Sequence, residues 1–144
     1  MAIKIKEMTI EDHKDAIHLW ENAPGIGLSN ADSERNIFKY LQRNPGMSFV
    51  AFDGELMVGA ILCGHDGRRG YINHLAVHSQ YHMQGIGKNL VDACLDKLKQ
   101  CGIEKSHILV YADNHKAIDF WQHTGWELRM ELVIMSRDVN ILDQ

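Results

Sequence analysis

The chain has 144 residues, 45% of them hydrophobic and 24% charged, with a formal net charge of −4. That length suits one domain with one ordinary core, and the composition is globular rather than disordered. The lysines at 4, 6, 97, 99 and 105 are interspersed with acids and read as a solvated face, so nucleic acid, which needs a basic stripe, is excluded as a partner.

The cysteines, Cys63, Cys94 and Cys101, are odd in number and form no C-x-x-C pair. They read as small core hydrophobes in a reducing compartment, and neither a disulfide scaffold nor a metal site is expected. The nine histidines show no H-x-x-x-H spacing on one predicted helix, so they too form no metal set. The start of the chain alternates instead of forming a long apolar run. The apolar run Leu56 to Cys63 is interrupted by Gly59 and is too short to cross a bilayer. A cytoplasmic protein without a membrane partner is the expectation.

Residues Ile3 to Met8 alternate as a half-buried strand. Thr9 can cap the helix that follows, with Asp12 a shorter stand-in for the glutamate of a capping box. Ala16, Ile17, Leu19 and Trp20 supply its apolar face, and Pro24-Gly25-Ile26-Gly27 ends it. Asp32 or Ser33 begins a second helix that carries Ile37, Phe38, Tyr40 and Leu41. Met47 to Phe52 and Leu56 to Cys63 read as a hairpin, joined through Asp53-Gly54. A second turn, Gly64 to Gly70, leads into a strand from Tyr71 to Val77.

From Ile86 to Cys101 the period becomes helical, and Gly102 stands where a helix ends. A short strand follows at His107 to Tyr111. Asn114 is placed to cap a helix through Trp121, and Trp126 to Met135 reads as a final strand. The order β-α-α-β-β-β-α-β-α-β gives a mixed α/β fold of α+β type in a single domain, residues 1–144.

The stretch from Leu75 to Leu90 is a strand, a glycine turn and a helix start. Such a junction gathers backbone N–H groups at a helix N-terminus and binds anions. It is not a P-loop, because His82 stands at the first glycine position and Asn89 replaces the Ser/Thr. Nor is it a dinucleotide turn, because Leu90 takes the last glycine position and the segment lies mid-chain. A structural turn without a ligand is the competing reading from these residues alone.

Val77 to Gly87 resembles the acetyl-CoA motif of the GNAT family of N-acetyltransferases, [RQ]-x-x-G-x-[GA] after a strand ending in valine. Asn114 to Trp126 resembles that family's second motif, N-x-x-A-x-x-[FL]-Y-x-x-x-G-[FY]. The Gly64 to Gly70 turn resembles a G-x-D-G-x-R-G turn of a small bacterial branch, the YpeA-like proteins. There the residues themselves leave two readings: a plain turn, or an edge of the acceptor site formed by His65, Asp66 or Arg69.

The resemblance implies a central, mostly antiparallel sheet of six to seven strands with helices on both faces. Strands four and five are parallel and splay apart to admit pantetheine. It implies transfer of acetyl from acetyl-CoA, as co-substrate, to a primary amine of a small molecule or peptide by direct attack. It assigns cofactor binding to Leu75, Ala76, Val77, His82, Met83, Gln84, Gly85, Ile86, Gly87, Lys88, Asn114 and Trp121. Catalysis falls to Val77, whose N–H stabilises the oxyanion, and to Asn114 and Tyr111. The first two helices and the Pro24 to Ala31 loop would cover the acceptor, with Glu21, Asn22, Ser29 and Asn30 as polar candidates.

This chain departs from the family pattern at two positions of these motifs. His82 stands where Arg or Gln is usual. Trp121 stands where the family has the tyrosine that protonates the thiolate, and an indole N–H is not a useful acid. Tyr111 could stand in for it or could simply pack. Tyr71, Asn73 and Leu109 occupy positions where the family places a base. His74 lies on the opposite face unless a β-bulge re-aims it, and deprotonation through a water chain is the default. Alternatives to small-molecule transfer are an acyl-CoA-binding sensor with little catalysis, and a protein N-terminal or lysine acetyltransferase. A homodimer is admitted.

Overall fold

A computed structural model describes residues Ala2–Asn140. The chain divides into two compact units, residues 1–111 and 112–144.

In the first unit, β1 (Ile3–Glu7), β2 (Phe49–Asp53), β3 (Leu56–His65), β4 (Gly70–Val77) and β5 (Ser106–Ile108) form one sheet in the order β1-β2-β3-β4-β5. The first four strands are antiparallel and β5 runs parallel to β4. Helices α1 (His13–Glu21), α2 (Glu34–Arg43) and α3 (Ile86–Gln100) cover the sheet. The Thr9 N–H donates to Asp12 Oδ2 at 2.9 Å before α1, as the capping pattern anticipates. Ser33 caps α2 by accepting from the Asn36 N–H.

The two sheet faces differ. On one, Val50, Ala60, Leu62 and Ala76 pack with Ala16, Leu19 and Trp20 of α1 and Ile37 of α2. The other carries α3. A Cβ placed on Gly59 would lie 2.9 Å from Leu90 Cδ1 and 3.2 Å from Ile86 Cγ2, so glycine is what lets the start of α3 sit down on β3. Cys63 and Cys94 are buried and free, and Cys101 is free and exposed. The Cys63 contact, and then burial, push the Cys94 thiol well above its ordinary range.

The β3–β4 register is the feature that matters most for function. Leu62 pairs with Asn73 and Ala60 with Ala76, so β4 carries one residue more than β3 between these pairs. This is a β-bulge, and within it His74 adopts φ +54°.

The second unit holds α4 (His115–His123). The Asn114 side chain accepts from the Ala117 N–H at 3.2 Å, the cap that the sequence anticipates. Trp121 is buried and packs edge-on against Phe120 and Trp126.

The sheet has five strands among the described residues, short of the six to seven expected. Trp126 to Met135 enters no ladder. Alternation supplies only a propensity, whereas a strand exists by pairing, and Leu132 and Ile134 are 59% and 67% exposed, so no buried face fixes a register. The β5 strand is also shorter than His107 to Tyr111, because its ladder reaches only Gly70 to Ile72 of β4.

Candidate active site

The β4–β5 ladder joins Gly70, Tyr71 and Ile72 to Ser106, His107 and Ile108 and stops there. Beyond it, the edge of β4 away from β3 has no neighbouring strand among the described residues. Val77 is opposite Gly59, and the His78 N–H donates to the Val58 carbonyl at 2.8 Å. This is the pattern of a non-hydrogen-bonded antiparallel pair, so the N–H and C=O of Val77 point away from β3, to the unpaired side. The parallel ladder thus stops short of Val77, whose main-chain N–H and C=O face the unpaired side.

The glycine turn follows directly. Met83 has φ +66° and Gly85 has φ +79°, and Gly85 precedes the first residue of α3. Left-handed residues interspersed with right-handed ones turn successive N–H groups toward one point, and the α3 N-terminus adds its positive end. Met83 is fully exposed, Gln84 is exposed and Ile86 is buried under the helix. The Lys88 ammonium pairs with Asp92 at 2.8 Å, which leaves its backbone as its contribution to the nest. His82 Nε2 donates to the Val77 carbonyl at 2.8 Å. Tyr81 donates to Asp53 Oδ2 at 2.6 Å, tying the turn to the β2–β3 hairpin. This bond, and then burial, raise the Tyr81 phenol above its ordinary value.

The structure therefore brings Leu75, Ala76, Val77 and residues 82–88 into one continuous strand edge and nest. These residues fit a coenzyme A: a strand edge for the pantetheine amides and converging N–H groups for the pyrophosphate. Tyr111 belongs to the same unit. A Cβ on Gly27 would lie 2.8 Å from its hydroxyl, so Tyr111 reaches the loop between α1 and α2. Asn114 and Trp121 belong to the second unit, where one caps α4 and the other packs with Phe120 and Trp126.

On the α1–α2 face, the bulge turns His74 toward these helices. Its ring is 5.1 Å from that of Trp20, and its Nε2 is 2.8 Å from Asp32 Oδ1. The other Asp32 oxygen accepts from the Ser29 N–H at 3.1 Å. Asp32 is the residue that sequence reasoning missed as a site candidate. It read as the start of a helix, and no local pattern links it to a histidine 42 positions away. Among the loop candidates, Ser29 accepts from Ala31, the Asn30 carbonyl accepts from Asn36 and Asn22 donates to the His18 carbonyl.

Beside Asn73, a cleft of about 190 Å³ is lined by Tyr40, Asn44, His65 and Tyr71. Burial raises the Tyr40 phenol. In the Gly64 to Gly70 turn, one Asp66 carboxylate oxygen accepts from the N–H groups of Arg68 and Arg69, both at 2.8 Å. These bonds hold the Asp66 carboxyl below its ordinary range, and they are the bonds of a plain turn. A larger cavity of about 570 Å³ lies by Leu98, Gly102 and Ser106, at the C-terminal end of α3 and so at the far end of that helix from the nest. Among the described residues, no group of three or more His, Cys, Asp or Glu side chains could hold a metal ion, and no helix is long and apolar enough to cross a membrane.

An open strand edge leading into a backbone anion nest suits a ligand that carries amides beside a pyrophosphate, as coenzyme A does. The family model described as Acetyltransferase (GNAT) family matches residues 10–126. The chain is 28% identical over 135 residues to an acetyltransferase of Sodalis glossinidius, with 94% of each chain covered. It is 30% identical over 125 residues to an acetyltransferase of Pectobacterium atrosepticum, covering 87% of this chain and 88% of that one. Among solved structures, the PaiA N-acetyltransferase of Thermoplasma acidophilum in complex with coenzyme A matches with a TM-score of 0.79 at 19% identity, over 90% of this chain and 92% of that one. The chain belongs to the GNAT acetyltransferase family, whose acetyl donor is acetyl-CoA, and is an N-acetyltransferase.

Proposed function

We propose that this protein transfers the acetyl group of acetyl-CoA to a primary amine of a small molecule or peptide by direct attack, without an acyl-enzyme. The observation that carries the reading is the Val77 main chain, directed to the unpaired side of β4 next to the nest. Backbone N–H groups from His82 to Lys88 hold the pyrophosphate. The Val77 N–H donates to the thioester oxygen as negative charge develops there, and a preorganised donor of this kind acts where charge appears. The buried cysteines, Cys63 and Cys94, serve packing. The acceptor enters from the α1–α2 side, where the loop ending at Asp32 meets Tyr111 and His74. We further read residues 1–144 as one catalytic domain, supported by a family model that runs through residue 111 to residue 126.

Calorimetry with acetyl-CoA, followed by thiol release in the presence of an amine panel, tests the proposal. Binding together with amine-dependent thiol release is the expected result. Tight binding with no release on any amine would favour an acyl-CoA sensor, and absence of binding would overturn both.

A further inference from the structure

We propose that His74, oriented by Asp32, accepts the proton that the attacking amine must lose. The proposal rests on the acetyl-transfer reading above and names a group for its missing base.

Several independent features converge on His74. It is one of the two β4 residues that face Ile61 in the bulge and has φ +54°, a conformation uncommon for a side-chain-bearing residue. Strain of this sort persists where the surroundings enforce it, often at functional sites. Strict alternation would have put His74 under α3, and the bulge sends it to the acceptor side instead. There its Nε2 is 2.8 Å from Asp32 Oδ1, and both side chains are largely buried. A carboxylate only accepts, so Nε2 carries a hydrogen, and in the neutral ring Nδ1 is the nitrogen with the lone pair. Among the described residues, Nδ1 has no hydrogen-bond partner. The Trp20 ring packs against the imidazole, and its own buried indole N–H also lacks a partner among the described residues.

His74 is three residues before Val77 on one strand, no more than about 10 Å away along it. In this proposal the proton reaches Nδ1 through water at the acceptor site rather than by direct contact. Among the described residues, Asp32 from the turn before α2 faces His74 and, behind it, His13 of α1 donates from Nε2 to the Asp32 carbonyl at 2.8 Å.

The proton balance is complete. An ammonium acceptor gives one proton through the water to Nδ1 of His74. The amine nitrogen then forms a bond to the thioester carbon, and the carbon–sulfur bond breaks with its electron pair going to sulfur. A second proton from the nitrogen ends on that sulfur. His74 returns its proton to solvent, so each turnover releases one proton.

The test compares wild type, His74→Gln and Asp32→Asn. Acetyl-CoA affinity is measured by calorimetry, and kcat is measured from pH 5.5 to 9 with a polyamine, an amino sugar and a peptide bearing a free N-terminus. His74→Gln is expected to bind acetyl-CoA within about twofold of wild type, lose kcat by about 100-fold and lose the low-pH fall in kcat. Asp32→Asn is expected to lower kcat at least about tenfold. Nitrogen-15 NMR of the wild type is expected to show the Nε2–H tautomer, and Asp32→Asn to shift it toward Nδ1–H. A His74→Gln protein that keeps wild-type kcat and its low-pH limb overturns the proton acceptor alone, and so does an Nδ1–H tautomer in the wild type. Acetyl-CoA binding without thiol release on any amine overturns the transfer reading and the proton acceptor together.

Discussion

His82 Nε2 donates to the carbonyl oxygen of Val77, five positions earlier, across 2.8 Å, closing a loop between the end of β4 and the start of the anion nest. His82 therefore works here as a clasp, at the position where the family motif has Arg or Gln. The clasp holds the turn in the shape that aims its N–H groups inward, so less ordering remains to be done when the ligand arrives. His82→Ala is expected to weaken acetyl-CoA binding about fivefold, equivalent to the ~1 kcal/mol net contribution of one hydrogen bond. His82→Arg should recover most of the loss. Calorimetry decides, and unchanged affinity in His82→Ala would remove the clasp.

Tyr81 clasps the same turn from the other side, through Asp53 on the β2–β3 hairpin. Hydrogen bonding to Asp53, and then burial, raise the Tyr81 phenol above its unfolded value near ~10. A group raised on folding stabilises the folded form below its unfolded value and loses that contribution as pH climbs through the raised one. Tyr81→Phe is therefore expected to bind acetyl-CoA more weakly than wild type at pH 7. The gap should close as pH climbs past the ordinary tyrosine value and through the raised one, where the wild-type phenol ionises against Asp53. A gap that persists unchanged at high pH would assign the effect to packing.

Gly59 links the core to the nest. Its missing Cβ makes room for Ile86 and Leu90, the residues that seat the first turns of α3 on β3. Gly59→Ala should cost about 1–3 kcal/mol of stability, the usual range for overpacking. It should also weaken acetyl-CoA binding, because the helix start carries part of the nest. Denaturant unfolding and calorimetry measure the two effects. A stability loss with unaltered affinity would mean that the nest tolerates a displaced helix.

The sequence read well where the signal was local. The Thr9–Asp12 and Asn114 caps, the Asp53-Gly54 hairpin and the glycine turn each sit within a few residues, and each formed. Two things were not local. The His74–Asp32 contact joins positions 42 apart, and its geometry depends on one extra residue in β4 that alternation alone hides. The stretch from Trp126 to Met135 had the alternation of a strand, but pairing depends on a neighbour that no residue within the stretch specifies. Those two places mark where register, a property of two strands at once, outweighs pattern.

In the second unit, Asn114 accepts from the Ala117 N–H and so satisfies one of the unpaired donors at the start of α4. Asn114→Ala should destabilise this helix by about 1 kcal/mol, whereas Asn114→Ser should preserve most of the cap. Hydrogen exchange at Ala117 and its neighbours reports the local loss directly. Equal protection in all three proteins would show that the α4 start is held by packing instead.

Tyr111 bears on how the thiolate leaves. In the motif that resembles the family's second one, Trp121 stands where tyrosine is usual, and the Tyr111 hydroxyl lies against the loop at Gly27, where an added Cβ would come within 2.8 Å of it. A thiol leaving group has a pKa near ~8.5, so its departure needs less help than that of an alkoxide or amide. The expected loss in Tyr111→Phe is accordingly modest, about tenfold in kcat with acetyl-CoA affinity unchanged, below the usual range for acid–base groups. Gly27→Ala should produce a similar loss by pushing the ring aside, since the added methyl would approach the hydroxyl at 2.8 Å. Full turnover in Tyr111→Phe together with impaired turnover in Gly27→Ala would take the phenol out of the mechanism and assign the effect to the loop that bounds the acceptor.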